Sequence, residues 1–373
     1  MSEQDLKQAN KTLGIDDTLP VIFIYTAPKV GSTSIVSTLR VFAHKKAHTI
    51  HIHDNTMLQV LTGISNVSVN DIIKYNGKIG RKIYVIDIYR NPIEHKISYF
   101  FETISYHFNN SLSEIKKYPL ERISERFNQI FPYLATQNKF MHAYNLPKSL
   151  IPTSFDHQKG FMLIELDGVK YISLRLCDSR QWGEILSRIL NISVRLHFIF
   201  EEYKTSEKDE IGKLYKSFVS TYTIPENIFN DLVCTDRDAQ YFMSDVERVS
   251  YINKWKSKTC TPYSYFTQEQ NIMYERVSAV NCQYNEIKTN HYIDDGCGCD
   301  ACIAKRQEII KKIKNSTYNG ESNHHINSRN EFISHKVKKA NIELMHRIEE
   351  AKQKQMMVKN KKPVTQIMAN IVR

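Results

Sequence analysis

The sequence predicts an α/β protein, a three-layer fold built on a central, mainly parallel sheet. Three observations carry this. Residues 21–26 and 83–88 are short apolar runs rich in β-branched and aromatic side chains, the composition of strands buried on both faces. Each run leads into a polar turn and then a helix. After the first, Ile35, Leu39 and Phe42 recur at helical spacing, and after the second, Pro92 suits a helix's first turn. Finally, 373 residues with 41% hydrophobic and 11% aromatic content suffice for one large α/β core plus an appendage.

The first unit joins strand 21–26 to its helix through Ala27-Pro28-Lys29-Val30-Gly31-Ser32-Thr33-Ser34. This chemistry suits an anion. Gly31 lets the backbone approach a ligand closely. The N–H groups of Ser32, Thr33 and Ser34 fall at a helix N-terminus, where unpaired donors and the helix dipole favour negative charge. Lys29 adds a full positive charge. The plain alternative is a β–α turn with a hydroxyl cap and a surface lysine. The loop is not Gly-x-x-x-x-Gly-Lys-Ser/Thr, because Lys29 precedes Gly31 and no earlier glycine is correctly spaced.

The chain opens with a polar lead-in, residues 1–20, with some helical character. Residues 46–54 alternate apolar and polar, which predicts a strand ending near His53, with His51 and His53 on one face. Histidine is poised for proton transfer near neutral pH, so either residue is a candidate base; an exposed strand carrying two histidines is the alternative. Residues 56–75 read as a surface helical region, and Gly77 and Gly80 mark the loop before strand 83–88. That strand delivers Arg90 to its C-terminal end. Helix 92–107 then carries Ser98, with Glu102 one turn further on the same face as a second candidate base or a solvated carboxylate. In an open α/β sheet, ligands bind at the strands' C-terminal ends, so Arg90 and the 29–34 loop can share one crevice.

Residues 110–150 read as largely helical and aromatic. Asp167-Gly168 predicts a hairpin turn between strands 161–164 and 170–176. A helix follows from 178 to about 190, a strand at 194–200, a helix from Ser206 to about 222, and another over 225–233. Ser244 and Glu247 form a capping box for a helix ending near Trp255.

With both motifs in place, the chain resembles the sulfotransferases that use 3′-phosphoadenosine 5′-phosphosulfate (PAPS). Pro28-Lys29-Val30-Gly31-Ser32-Thr33-Ser34 looks like their 5′-phosphosulfate loop, and Arg90-x-Pro92 with Ser98 looks like their 3′-phosphate motif. The branch resembled most is the glycan-modifying one, including proteins of capsular polysaccharide synthesis. The resemblance is strong over 20–105 and diffuse to about 258. One departure is His95, where many relatives carry Arg. The resemblance implies a P-loop-like sulfotransferase fold and transfer of a sulfuryl group from PAPS to a hydroxyl, with a carbohydrate acceptor. It implies that Lys29, Val30, Gly31, Ser32, Thr33 and Ser34 hold the phosphosulfate, that Arg90 and Ser98 hold the 3′-phosphate, and that Lys29 with His51 or His53 is catalytic. No metal is required.

Charge and cysteine usage bound the rest. Residues 303–373 hold sixteen Lys/Arg against six Asp/Glu, so this tail carries +10 of the net +11. A basic helical extension of this kind could meet an acidic polymer or an anionic membrane surface, although a solvated tail is the simpler expectation. No apolar run approaches the roughly 18 residues that span a bilayer, and there is no leader, which predicts a cytoplasmic enzyme. The seven cysteines are odd in number and mostly scattered, as in a reducing compartment. Cys282, Cys297, Cys299 and Cys302 are a possible zinc set with irregular spacing. The expected division is lead-in 1–20, α/β domain 21–258, cysteine-containing loop region 259–302 and basic tail 303–373. Two rivals remain: a P-loop kinase, which would want its lysine after the glycines, and a non-catalytic binding protein acting through the tail.

Overall fold

The computed structural model describes residues 1–15, 18–108, 112–134, 136–191 and 211–263, with Lys311 and Asn315. Five strands form the central sheet: β1 (Val21–Tyr25), β2 (His48–Ile52), β3 (Ile83–Tyr89), β4 (Met162–Leu166) and β5 (Val169–Arg175), in the order β2-β1-β3-β5-β4. β2, β1, β3 and β5 are mutually parallel. β4 returns antiparallel through Asp167 and Gly168, both at positive φ, so Leu166 faces Val169 as the Asp-Gly pair predicts.

Every residue of β1 and β3 is buried, which explains their unbroken apolar sequence. At about 1.5–3 kcal/mol per fully buried large side chain, Ile22, Phe23 and Ile24 strongly favour a place for β1 in the interior of the sheet. The first five helices are α1 (Glu3–Thr12), α2 (Ser32–Phe42), α3 (Asn55–Thr62), α4 (Val69–Lys78) and α5 (Pro92–Glu102). Ile35, Val36 and Leu39 of α2 pack with Ile22, Ile24, Tyr84, Ile86 and Trp182 on one sheet face. Ile93, Ile97 and Phe100 of α5 pack with Val21, Phe23 and Val85 on the other. The molecule is therefore layered helix–sheet–helix.

The topology places the site. From β1 the chain crosses through α2 to β2 on one side, and β3 then joins β1 on its other side. α2 leaves β1 toward one face and α5 leaves β3 toward the opposite face. This divergence makes the C-terminal ends of β1 and β3 a topological switch point, the place where open α/β sheets bind ligands.

Several expectations are corrected. The lead-in is a packed helix: α1 is closed by a Ser2–Asp5 capping box, and buried Asn10 and Asn76 exchange two side-chain hydrogen bonds of 2.9 Å. Region 56–75 is two helices rather than an exposed one, and Leu58, Val69, Ile72 and Ile73 are fully buried. Among the described residues, region 110–150 is broken into short helices, and only Leu120–Ile130 exceeds one turn substantially. Residues 259–263 do not leave the body. Ile224 and Pro225 pair with Thr259 and Cys260, and Asn227 bonds both main-chain groups of Tyr263. The capping box at Ser244 forms as expected and starts a helix over Asp245–Lys256. Strand 194–200, the helix opening at Ser206, the cysteines at 282, 297, 299 and 302, and nearly all of the basic tail lie outside the described residues. Among the described residues, no helix is long and apolar enough to cross a membrane.

Candidate functional site

The loop after β1 takes its shape from two residues in the left-handed region, Lys29 at φ 65° and Gly31 at φ 87°. Gly31 is the N-cap of α2, and no side chain caps that helix. Its identity has two causes. A Cβ there would be strained by the backbone angle, and it would sit 2.9 Å from Leu176 Cδ1 and 3.3 Å from Trp182 Cη2. Val30, fully buried, anchors the loop into the core on the α2 face. The Ser34 N–H donates to the Gly31 carbonyl at 3.1 Å, which tightens the first turn. The loop thus offers a helix N-terminus whose approach is lined by glycine rather than by a capping side chain, the arrangement an anion favours.

Lys29 is a non-glycine residue in left-handed backbone, at a cost of about 1–2 kcal/mol. Three side chains hold it. Arg90, one residue beyond β3, donates from Nη1 to the Lys29 carbonyl at 2.6 Å. His95 Nε2 bonds the Pro28 carbonyl at 2.7 Å. Lys29 Nζ pairs with Glu102 Oε2 at 3.2 Å, both side chains being mostly buried. His95, Ser98 and Glu102 stand at i, i+3 and i+7 on α5, so one stripe of that helix faces the loop. Ser98, between the two contacting residues, is buried. Glu102, read from the sequence as a possible base or a solvated carboxylate, is instead the ion partner of Lys29.

Arg90 is half-buried. Burial pulls its pKa down, while Tyr215 and Glu94 favour its charge. Arginine remains a cation throughout the working pH range. Its five donors exceed what the single carbonyl of Lys29 consumes.

The two histidines lie at the end of β2, side by side as their alternation predicts, with ring centroids 4.6 Å apart. They differ in what they touch. His53 Nδ1 is 2.9 Å from the Thr26 carbonyl oxygen. A carbonyl can only accept, so the proton sits on Nδ1 and Nε2 carries the lone pair. His51 Nε2 is 3.0 Å from Ser32 Oγ. Burial lowers both pKa values, His51 the further, with additional lowering of His51 from His53 and Arg40; Lys139 and Lys29 also lower His53, against the opposing pulls of its bond to the Thr26 carbonyl and of Asp54. Both rings are therefore neutral at pH 7.

Two groups escape sequence reasoning. His95 registers there only as a departure from a resembled pattern, not as a backbone anchor. Its burial and the neighbouring Arg90 push its pKa down to about 3, so it is a neutral donor. Asp87 was readable as the lone acid in an otherwise apolar strand. It is fully buried, its Oδ2 accepts the Phe140 N–H at 2.8 Å, and its Oδ1 has no partner among the described residues. Burial raises its pKa to about 7. Among the described residues there is no group of three or more His, Cys, Asp or Glu side chains arranged to hold a metal ion.

The structure thus brings Lys29, the 30–34 loop, Arg90, Ser98, His51 and His53 to the same end of the sheet. No family model, no curated protein and no solved structure matches the chain.

Proposed function

We propose that the chain is a sulfotransferase that moves a sulfuryl group from PAPS to a hydroxyl of a carbohydrate. One observation carries the reading: the Arg90 guanidinium rests on the Lys29 carbonyl at 2.6 Å. Two motifs 61 residues apart, each resembling one phosphate-binding element of PAPS enzymes, thereby meet at one peptide group. The residues present fit the donor. The α2 N-terminus, the bare Gly31 and the Lys29 ammonium would hold the 5′-phosphosulfate, and Arg90 with Ser98 would hold the 3′-phosphate through charge-assisted bonds. When bound, PAPS supplies an electrophilic sulfur whose leaving group is a phosphate.

The chain's own residues then have defined tasks. His53, its Nδ1 fixed on the Thr26 carbonyl, takes the proton of the attacking hydroxyl at Nε2. A new S–O bond forms to that oxygen as the S–O bond to phosphate breaks. Lys29 exchanges Glu102 for the oxygen on which negative charge develops, an interaction that strengthens toward the transition state. His51 orients the Ser32 hydroxyl toward the loop's anion.

Calorimetry with adenosine 3′,5′-bisphosphate and with adenosine 5′-monophosphate tests the binding half of the proposal. Arg90→Ala is expected to cost about 2–3 kcal/mol for the bisphosphate, the scale of a charge-assisted bond, and almost nothing for the monophosphate. Equal losses would sink the 3′-phosphate assignment, and preferential binding of ATP with Mg²⁺ would favour the kinase reading. For the chemistry, Lys29→Ala should slow single-turnover transfer of labelled sulfate by about 10²-fold or more, with a much smaller loss of donor affinity. Near-normal transfer by that variant would remove the loop from the reaction.

A further inference from the structure

We propose that His95 is a positioning residue: with Arg90 it clamps two successive carbonyls, those of Pro28 and Lys29, and so holds the anion loop in its binding shape before any ligand arrives. The clamp is visible in the free protein. His95 Nε2 lies 2.7 Å from Pro28 O, and Arg90 Nη1 lies 2.6 Å from Lys29 O. The first contact joins residues 67 apart in sequence and the second joins residues 61 apart, so neither is a product of local turn geometry. Both arise because β1 and β3 are parallel neighbours, Val21–Ile24 pairing with Ile83–Ile86, and β3 runs on to Tyr89 alongside the segment that follows β1.

The loop needs such a clamp. Lys29 occupies left-handed backbone, which a lysine adopts only when its surroundings hold it there. The two bonds hold the Pro28 and Lys29 carbonyls on His95 and Arg90, and the α2 N-terminus follows directly, with Gly31 as its N-cap and Ser32 as its first residue. A carbonyl can only accept, so the imidazole must present its Nε2 proton to Pro28. A buried neutral histidine does this without adding a second cation beside Arg90, which a longer, charged side chain at this position would do. His95 itself is 2% exposed and sits beneath the loop. It acts through the backbone and is no ligand contact.

The binding arm of this proposal rests on the PAPS reading; its structural arm does not. The test uses the full chain carrying His95→Gln, His95→Asn or His95→Leu. Glutamine can place an amide N–H near the position of Nε2, asparagine is too short to reach it, and leucine removes the donor. Hydrogen exchange of the amides of residues 29–34 is measured in the free proteins, alongside global thermal unfolding. Adenosine 3′,5′-bisphosphate binding is then titrated.

The clamp predicts faster exchange, confined to the loop, in His95→Asn and His95→Leu, and near-native protection in His95→Gln. Bisphosphate affinity should fall about tenfold in the first two, the worth of one lost hydrogen bond to a buried carbonyl, and recover in the third. Unchanged loop exchange in His95→Asn overturns the clamp, as does a loss in His95→Gln equal to that in His95→Asn. If leucine prevents folding, the glutamine and asparagine pair decides the matter alone. Loop exchange that follows the pattern in a wild-type chain that binds no bisphosphate supports the clamp and rejects the sulfotransferase reading.

Discussion

Asp87→Asn should stabilise the protein above neutral pH and leave it unchanged in acid. Asp87 lies inside β3 with no exposed surface, and burial raises its pKa from 3.8 to about 7. The folded state therefore binds a proton that the unfolded chain has already released. Below about pH 4 both states are protonated and the group costs nothing. As pH rises toward 7 the unfolded state gains its charge freely while the folded state cannot, so stability falls across that window and levels off above it. A gap of about three pKa units at 1.36 kcal/mol each corresponds to roughly 4 kcal/mol. Asparagine avoids this cost and its Oδ1 can still accept the Phe140 N–H. It gives up the charge's favourable interactions with the Phe140, Ile88 and Lys139 main-chain N–H groups and with the Lys139 ammonium, which partly offset its burial, so a gain of about 2–4 kcal/mol at pH 8 is expected. Urea unfolding of wild type and variant between about pH 4 and pH 8 measures it. Parallel curves at every pH, or a less stable variant at pH 8, would refute the argument, because either result means that the wild-type carboxyl has a satisfied, solvated environment.

Gly31→Ala should lower the midpoint of thermal unfolding and abolish anion binding together. Its cost combines about 1–2 kcal/mol for left-handed backbone with a further 1–3 for displacing Leu176 and Trp182; an unchanged midpoint would contradict the geometry. His53→Ala should cut sulfate transfer by about 10²-fold or more at unchanged bisphosphate affinity, whereas His51→Ala should weaken donor binding through Ser32. The acid limb of the wild-type rate profile should lie below the ordinary histidine range, because burial lowers both pKa values; a limb at or above pH 7 would show that neither ring is the base.

Much of the fold is legible in single stretches. β1 and β3 are recognisable because a strand buried on both faces is apolar almost throughout; Asp87 is the exception within β3, and its burial is seen only in the structure. The Asp167-Gly168 hairpin and the Ser244–Glu247 cap are local backbone solutions that a few residues specify unaided. Helix α1 was legible only as a polar lead-in, because its packing is partly a pair of buried asparagines, Asn10 and Asn76, which apolar periodicity does not detect. Helix α4 reads as exposed in the sequence because its interleaved polar residues mask a buried side.

The site divides along the same line. Lys29, Gly31 and Arg90 stand out by residue type and spacing, since a strand end, a glycine turn and a helix start are encoded within about ten residues. What those groups touch is not encoded there. Arg90 meets the Lys29 carbonyl and His95 meets the Pro28 carbonyl because the sheet sets β1 beside β3 and sends α2 and α5 to opposite faces. His51 and His53 share a face by alternation alone. That one meets a hydroxyl and the other a carbonyl depends on where the neighbouring strand ends, and hydrogen bonds between residues 19 and 27 positions apart exist only once β1 and β2 have paired.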